Sequence, residues 1–198
     1  MTPTSVPTDN STSERIELGG GFYLRDPLEE DAQELGRAVA ESLDTLMSWM
    51  PWAAQEPMSL QARRSLIGEW REGFRRGDNY NFVVFHGDSA VGVQGLHRRI
   101  GPGGLELGYW IHPAFAGRGI SSHAATALTA WAFSDCDAEY VEVHNDAANL
   151  ASQAVARKAG YELLLERPSP IDAPGETGVE FVWEARRGRW KRPQLKEL

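Results

Sequence analysis

The sequence predicts one mixed α/β domain built on a single sheet. Three observations carry that prediction. The chain has 198 residues, within the roughly 100–200 residues of one domain. Apolar residues make up 41% and charged residues 24%, a globular balance. Runs with helical spacing interleave with short β-type runs along the whole chain.

Charge and cysteine content narrow the function. Twenty basic residues against 28 acidic ones give a net charge of −8. An acidic body argues against indiscriminate DNA or RNA binding, whose footprint is a basic face. Cys136 is the single cysteine, so it makes no internal disulfide, and a lone thiol suits a reducing compartment. No run of 18 apolar residues is present and the first 15 residues hold no apolar stretch. Neither a membrane span nor a signal peptide is expected, and the expected location is the cytoplasm.

The elements follow in order. Residues 1–14 are rich in Thr, Ser and Pro and too polar to offset their ordering entropy, so a flexible segment is expected. The folded domain is expected over 15–185. Residues 21–26 read as a strand broken by Asp26-Pro27. Helical spacing then covers 28–43. Ser59 opens a second helix to Arg76, with Leu60, Ile67 and Trp70 on one face. Residues 81–85, Gly87-Asp88 and 90–97 read as strand, turn and strand. Residues 105–111 are a further strand and 119–134 an Ala-rich helix. A strand over 140–144 leads to a helix over 148–159 closed by Gly160, a natural C-cap. Strands over 161–165 and 179–185 complete the order β α α β β β α β α β β.

The segment richest in chemistry is ELGYWIHPAFAGRG, residues 106–119. A strand ends at Ile111, a Pro turn follows, and Gly117-Arg118-Gly119 enters a helix at Ile120-Ser121. Two glycines one residue apart admit backbone angles closed to other residues and let a ligand approach the main chain. The helix start aims free N–H groups and a positive dipole end at that turn, which suits a pyrophosphate. Arg118 adds a positive charge. The pattern is not a dinucleotide fingerprint, because Ser122 stands where that motif has Gly or Ala. The sequence also lacks a Walker lysine, HExxH, GxSxG and zinc-spaced Cys/His sets, so no metal is expected.

Four features recur in order: ELGYWIHP, the GRG turn, Asn149 three residues before Ser152, and Lys158-Ala159-Gly160-Tyr161-Glu162. In this arrangement the chain resembles the GNAT acyltransferase superfamily over residues 15–185. The early Gly-Phe-Tyr-Leu-Arg-Asp-Pro run and Trp49-Met50-Pro51-Trp52 bring it nearest the RimJ/RimL-like branch. The resemblance implies a mostly antiparallel sheet with splayed middle strands and flanking helices. It implies acetyl-CoA as acyl donor, held by Ile111, Gly117, Arg118, Gly119, Ile120 and Ser121, with Asn149 at the pantetheine. Ala114 occupies the Gln/Arg position of the family loop, a position where residue type varies. Trp49, Trp52 and Tyr109 are expected beside the acceptor.

Acetyl transfer to an amine needs a neutral amine, a polarised thioester carbonyl and a proton for the departing thiolate. The family tyrosine seven positions after Asn149 is replaced by Ala156, which leaves Ser152 as the acid. Ser152 and Asn149 equally suit plain helix capping. Glu106 shares a strand face with Gly108 and Trp110 and is the expected base, through water, with Tyr109 and His144 as weaker alternatives. His112 reads as a turn residue. Cys136 lies near the far end of its helix and is not expected to act as nucleophile.

A peptide or protein α-amine is the leading acceptor. A small amine, a succinyl donor, or a module that binds CoA without catalysis all stay open, and a homodimer is common in the branch. Residues 186–198 carry six basic residues and one acid. This tail is expected either to lie on the acidic body or to serve as an RNA handle with Trp190 stacking on a base.

Overall fold

The computed structural model describes residues 15–198; the expected flexible segment 1–14 lies outside them. Eight strands form one sheet in the order β1-β2-β3-β4-β5-β6-β8-β7. They are β1 (Ile16–Gly19), β2 (Phe22–Arg25), β3 (Asn79–His86), β4 (Ser89–His97), β5 (Gly104–Ile111), β6 (Tyr140–Asp146), β7 (Glu162–Pro168) and β8 (Val179–Arg186). Every neighbouring pair is antiparallel except β5 and β6. The helices are α1 (Ala32–Met47), α2 (Leu60–Arg76), α3 (Ile120–Asp135) and α4 (Leu150–Lys158). Helices α1 and α2 cover one sheet face through Leu35, Val39, Leu46 and Ile67. Helices α3 and α4 cover the other through Ile120, Leu128 and Ala156.

The expected order holds, with one strand added and several ends moved. Strand β1 escaped the sequence reading because it has four residues and half of them are exposed. The first helix starts at Ala32, not at residue 28. Asp31 explains the delay. Its carboxylate accepts two bonds from Arg25, at 2.6 and 2.7 Å, and one from the Leu28 amide at 2.7 Å, which locks residues 28–31 into a tight turn. The second helix begins as expected, with Ser59 accepting from the Ala62 amide and Gly77 closing it in the left-handed region. Leu60 is the exception on its expected face, since it is exposed while Ile67 is fully buried.

Two features of this frame position the site. Helix α3 is apolar nearly all round, and Ile120 to Thr129 are buried except His123. Such a helix must be covered on more than its sheet side. Helix α4 and the C-terminal segment provide the cover. The Trp190 indole N–H donates to the Ala159 carbonyl at 2.9 Å, its ring meets Phe133 edge-on, and Leu198 lies beside Gly119. The basic tail therefore packs on the body, and its Trp190 is half-buried where an RNA handle would need it free. The second feature is the splay between β5 and β6. Their pairing runs from Gly104–Tyr140 to Glu106–Glu142 and stops there. Beyond it β5 is bonded to β4 alone, out to Ile111.

Candidate active site

Two cavities open at the splay. The smaller, about 440 Å³, is lined by Ile111, Gly117, Gly119, Ile120, Ser121 and Ser122 on one side and by Asn149, Val155 and Lys158 on the other. Gly117 and Gly119 have φ of +77° and +91°, values open to glycine. Their turn leaves the amides of residues 117–121 without a hydrogen-bond partner among the described residues. The first amides of α3 to find a partner are those of Ser122 and His123, which both donate to the Gly119 carbonyl. A helix start with free amides and Lys158 nearby is a fitting seat for a phosphorylated ligand. The free edge of β5 beyond Glu106 offers strand-type bonds to an extended amide chain. Arg118 is exposed, 5.3 Å over the Phe115 ring, and is not among the residues lining this cavity.

The larger cavity, about 690 Å³, carries Trp49, Trp52, Trp70 and Trp110 beside a polar floor of Glu106, His144, Asn145 and Glu180. Glu56 accepts from buried Arg63 at 2.8 Å and ties the Trp49–Trp52 stretch to α2. His97 faces this cavity from β4, opposite Glu106. Burial, then the Arg99 charge, pushes its imidazole down to about 4, so it is neutral near pH 7. Among the described residues no group of three or more His, Cys, Asp or Glu side chains is arranged to hold a metal ion.

The cavities share Trp49, Met50, Tyr109, Trp110, Asn149 and Ser152. At this junction the Asn149 side chain caps α4, accepting from the Ser152 amide at 3.0 Å. The Tyr109 hydroxyl lies 3.0 Å from both the Ser152 hydroxyl and the Ser152 carbonyl. The carbonyl accepts only, so Tyr109 donates to it and its own oxygen can accept from the serine hydroxyl. Burial holds the Tyr109 phenol well above its ordinary value, and it stays protonated. The α4 position that lacks a tyrosine, Ala156, is fully buried in the core. The phenol at the junction comes from β5 instead.

The structure places Glu106 in this cavity at 13% exposure. Burial alone would raise its carboxyl, but Arg99 donates to both oxygens, at 2.5 and 2.7 Å, and holds it below its ordinary value. It is a fixed anion, and a weaker proton acceptor than its sequence position implies. Around it stand groups the sequence reading did not single out: Glu142, Glu180 and Asn145. Asn145 is 8% exposed, and among the described residues neither atom of its amide has a hydrogen-bond partner. A buried amide of that kind is costly unless something bonds it, which fits a site that receives polar ligands. Its only sequence signal was position, four residues before the capping Asn149. His112 is a turn residue, its ring accepting from the Ala114 amide. Cys136 is buried at the end of α3 and its thiol is pushed up to about 11, chiefly by burial.

Two ligands entering by separate cavities would meet at Tyr109 and Ser152, the layout of a two-substrate transferase. The family comparison makes this specific. Residues 22–162 match the acetyltransferase (GNAT) domain family, so the chain belongs to that family and is an acetyltransferase. A Bacillus subtilis (strain 168) protein with the provisional name ribosomal N-acetyltransferase YdaF is 25% identical over 138 residues, 67% of this chain and 73% of its own. From the same organism, the probable N-acetyltransferase YjcK is 28% identical over 149 residues, 72% and 81% of the two chains. Among solved structures, RimL, the ribosomal L7/L12 α-N-protein acetyltransferase in complex with coenzyme A, superposes with a TM-score of 0.79. It is 22% identical, with 87% of this chain and 98% of that chain covered. Mycobacterium smegmatis RimJ in complex with a CoA disulfide gives 0.75 at 19% identity, covering 88% and 87%. At those identities the structures establish the shared fold.

Proposed function

We propose that this acetyltransferase carries acetyl from acetyl-CoA to the α-amine of a peptide or protein N-terminus, by direct attack with both substrates bound. The observation that carries the reading is the meeting of the two cavities at Tyr109, Asn149 and Ser152. The glycine turn and Lys158 suit the phosphates, and the unpaired edge of β5 suits the pantetheine amides. The names of the Bacillus relatives and the structural likeness to RimL point the same way for the acceptor.

Acetyl-CoA supplies an activated acyl carbon and a thiolate leaving group. This chain's residues do the rest. The Tyr109–Ser152 pair lines both cavities, which suits it to give a proton to the departing sulfur, with Ser152 as donor and the Tyr109 hydroxyl beside it. Glu106 and Glu180 make the cavity floor anionic and draw in a cationic amine. The α-amine suits this site on physical grounds. With a pKa near 7.7–8, about 10% of it is neutral at pH 7, whereas a lysine amine at about 10.4 is neutral less than about 0.1% of the time. An α-amine therefore asks far less of the base.

The test is calorimetric titration with acetyl-CoA, succinyl-CoA and CoA, followed by thiol release with a panel of peptides and small amines. Tight acetyl-CoA binding and faster release with free N-terminal peptides than with α-acetylated, lysine-containing ones is the expected result. Binding without thiol release from any amine would replace this reading with a CoA-binding module.

A further inference from the structure

We propose that His144 is the group that takes the proton from the attacking amine, with Glu142 as its positioning partner. The inference rests on the acceptor reading above. His144 lies on β6 on the face that floors the larger cavity, 14% exposed. Its Nε2 is 2.7 Å from Glu142, two residues earlier on the same strand face. A carboxylate accepts only, so it takes the Nε2–H, and in the neutral form of the ring the lone pair is then on Nδ1. That nitrogen is turned toward Glu106 at 4.0 Å and Glu180 at 3.7 Å. A carboxylate orients the imidazole and further carboxylates stabilise the imidazolium once it forms, the logic of a base held by an acidic partner.

The charges around this ring come from β4, β5, β7 and β8, and Glu184 on β8, directly across from Glu142, is held by Arg186. Glu106 on β5 is bound by Arg99, Glu180 on β8 by Arg167 on β7, and His97 on β4 sits across from Glu106. Both arginine pairs are more than half exposed on the arginine side, whereas the two glutamates stay in the cavity. Glu106 and Glu180 are thus occupied acceptors of arginine bonds, and among the described residues no cation engages the His144 Nδ1. In the step, the amine lone pair forms the C–N bond, the C–S bond breaks with its electrons on sulfur, and the proton lost from nitrogen goes to Nδ1. The sulfur takes its proton from Ser152, whose oxygen recovers one from solvent as the imidazolium releases its own to solvent, so both side chains end as they began.

The experiment compares the parent with His144→Gln, Glu142→Gln and Glu106→Gln, using acetyl-CoA and a peptide acceptor that the parent acetylates. His144→Gln should lower kcat on the order of a hundredfold, leave the acetyl-CoA Kd unchanged, and erase the acidic limb of the kcat/KM profile. Added imidazole should restore part of the rate. Glu142→Gln should shift that limb without erasing it, and Glu106→Gln should raise the acceptor KM and keep the limb. Loss of the limb in Glu106→Gln but not in His144→Gln would make Glu106 the base and overturn the proposal. A His144→Gln rate within about twofold of the parent would overturn it too. Failure of the parent to acetylate any peptide would instead count against the acceptor reading.

Discussion

Ser152 illustrates how capping and a proposed proton transfer can fall to one residue. Its amide satisfies the Asn149 cap while its hydroxyl reaches Tyr109, so the cap leaves the hydroxyl available for the proposed role. Ser152→Ala keeps the amide and removes only the hydroxyl. The expected outcome is a fall in kcat of about tenfold or more with the acetyl-CoA Kd unchanged, read by steady-state kinetics and calorimetry. An unchanged kcat would remove Ser152 from the mechanism. Asn145 gives a second test at this scale. Replacing its unpartnered buried amide with the near-isosteric Leu should leave stability equal or higher, since an unpaired polar group is removed. The same change should raise KM for a substrate that the amide bonds. Thermal melts and steady-state kinetics check the two halves separately.

At the scale of elements, the glycine turn and the α2 brace matter most. Gly119 sits at φ +91° at the start of α3, with open room around it apart from ordinary contacts to Leu198 and His123. Gly119→Val brings a β-branched side chain into a conformation it resists and places it beside the free amides. The acetyl-CoA Kd should rise about tenfold or more in calorimetry, while the acceptor cavity is untouched. The Glu56–Arg63 pair is 5% exposed on both sides. Arg63→Ala strands the Glu56 carboxylate in the interior and should cost about 3–5 kcal/mol of stability, read by urea unfolding. Because Glu56 anchors the stretch that carries Trp49 and Trp52, the acceptor KM should rise alongside.

For the whole molecule, the interior titrating groups set the response to acid. His97 titrates near 6.5 when unfolded and is depressed to about 4 when folded. Between those values the unfolded chain binds more protons, so stability is complete above about pH 6.5 and falls toward pH 4. The full loss is on the order of 3 kcal/mol. Glu106, depressed as a carboxylate by Arg99, adds a further loss as pH falls through its lowered value. The urea midpoint should therefore drop from pH 7 to pH 4.5, and His97→Gln should flatten that drop. An identical slope in the variant would show that other groups control it. Strand β7, at the sheet edge, leaves Leu163, Leu164 and Leu165 exposed. A bulge between Leu163 and Leu165 bends that edge, a feature that discourages strand-to-strand association.

The order of helices and strands, the α2 boundaries and the glycine turn with its helix were legible in the sequence. Each is a local matter of side-chain period, capping residues and glycine conformation. Ser152 and Asn149 were legible for the same reason, being three residues apart at one helix start. What only the tertiary structure decided is which distant side chains converge. Tyr109 on β5 reaches Ser152 on α4, and β6 brings His144, with Glu142 bonded to its ring, to a cavity shared with Glu106 of β5 and Glu180 of β8. The start of α1 was missed because Arg25 and Asp31 join across the turn. The depression of Glu106 was invisible because Arg99 is a neighbour only once β4 and β5 pair. Local rules act through a few bonded residues, whereas proton affinity and donor–acceptor geometry depend on groups the chain brings together only by folding.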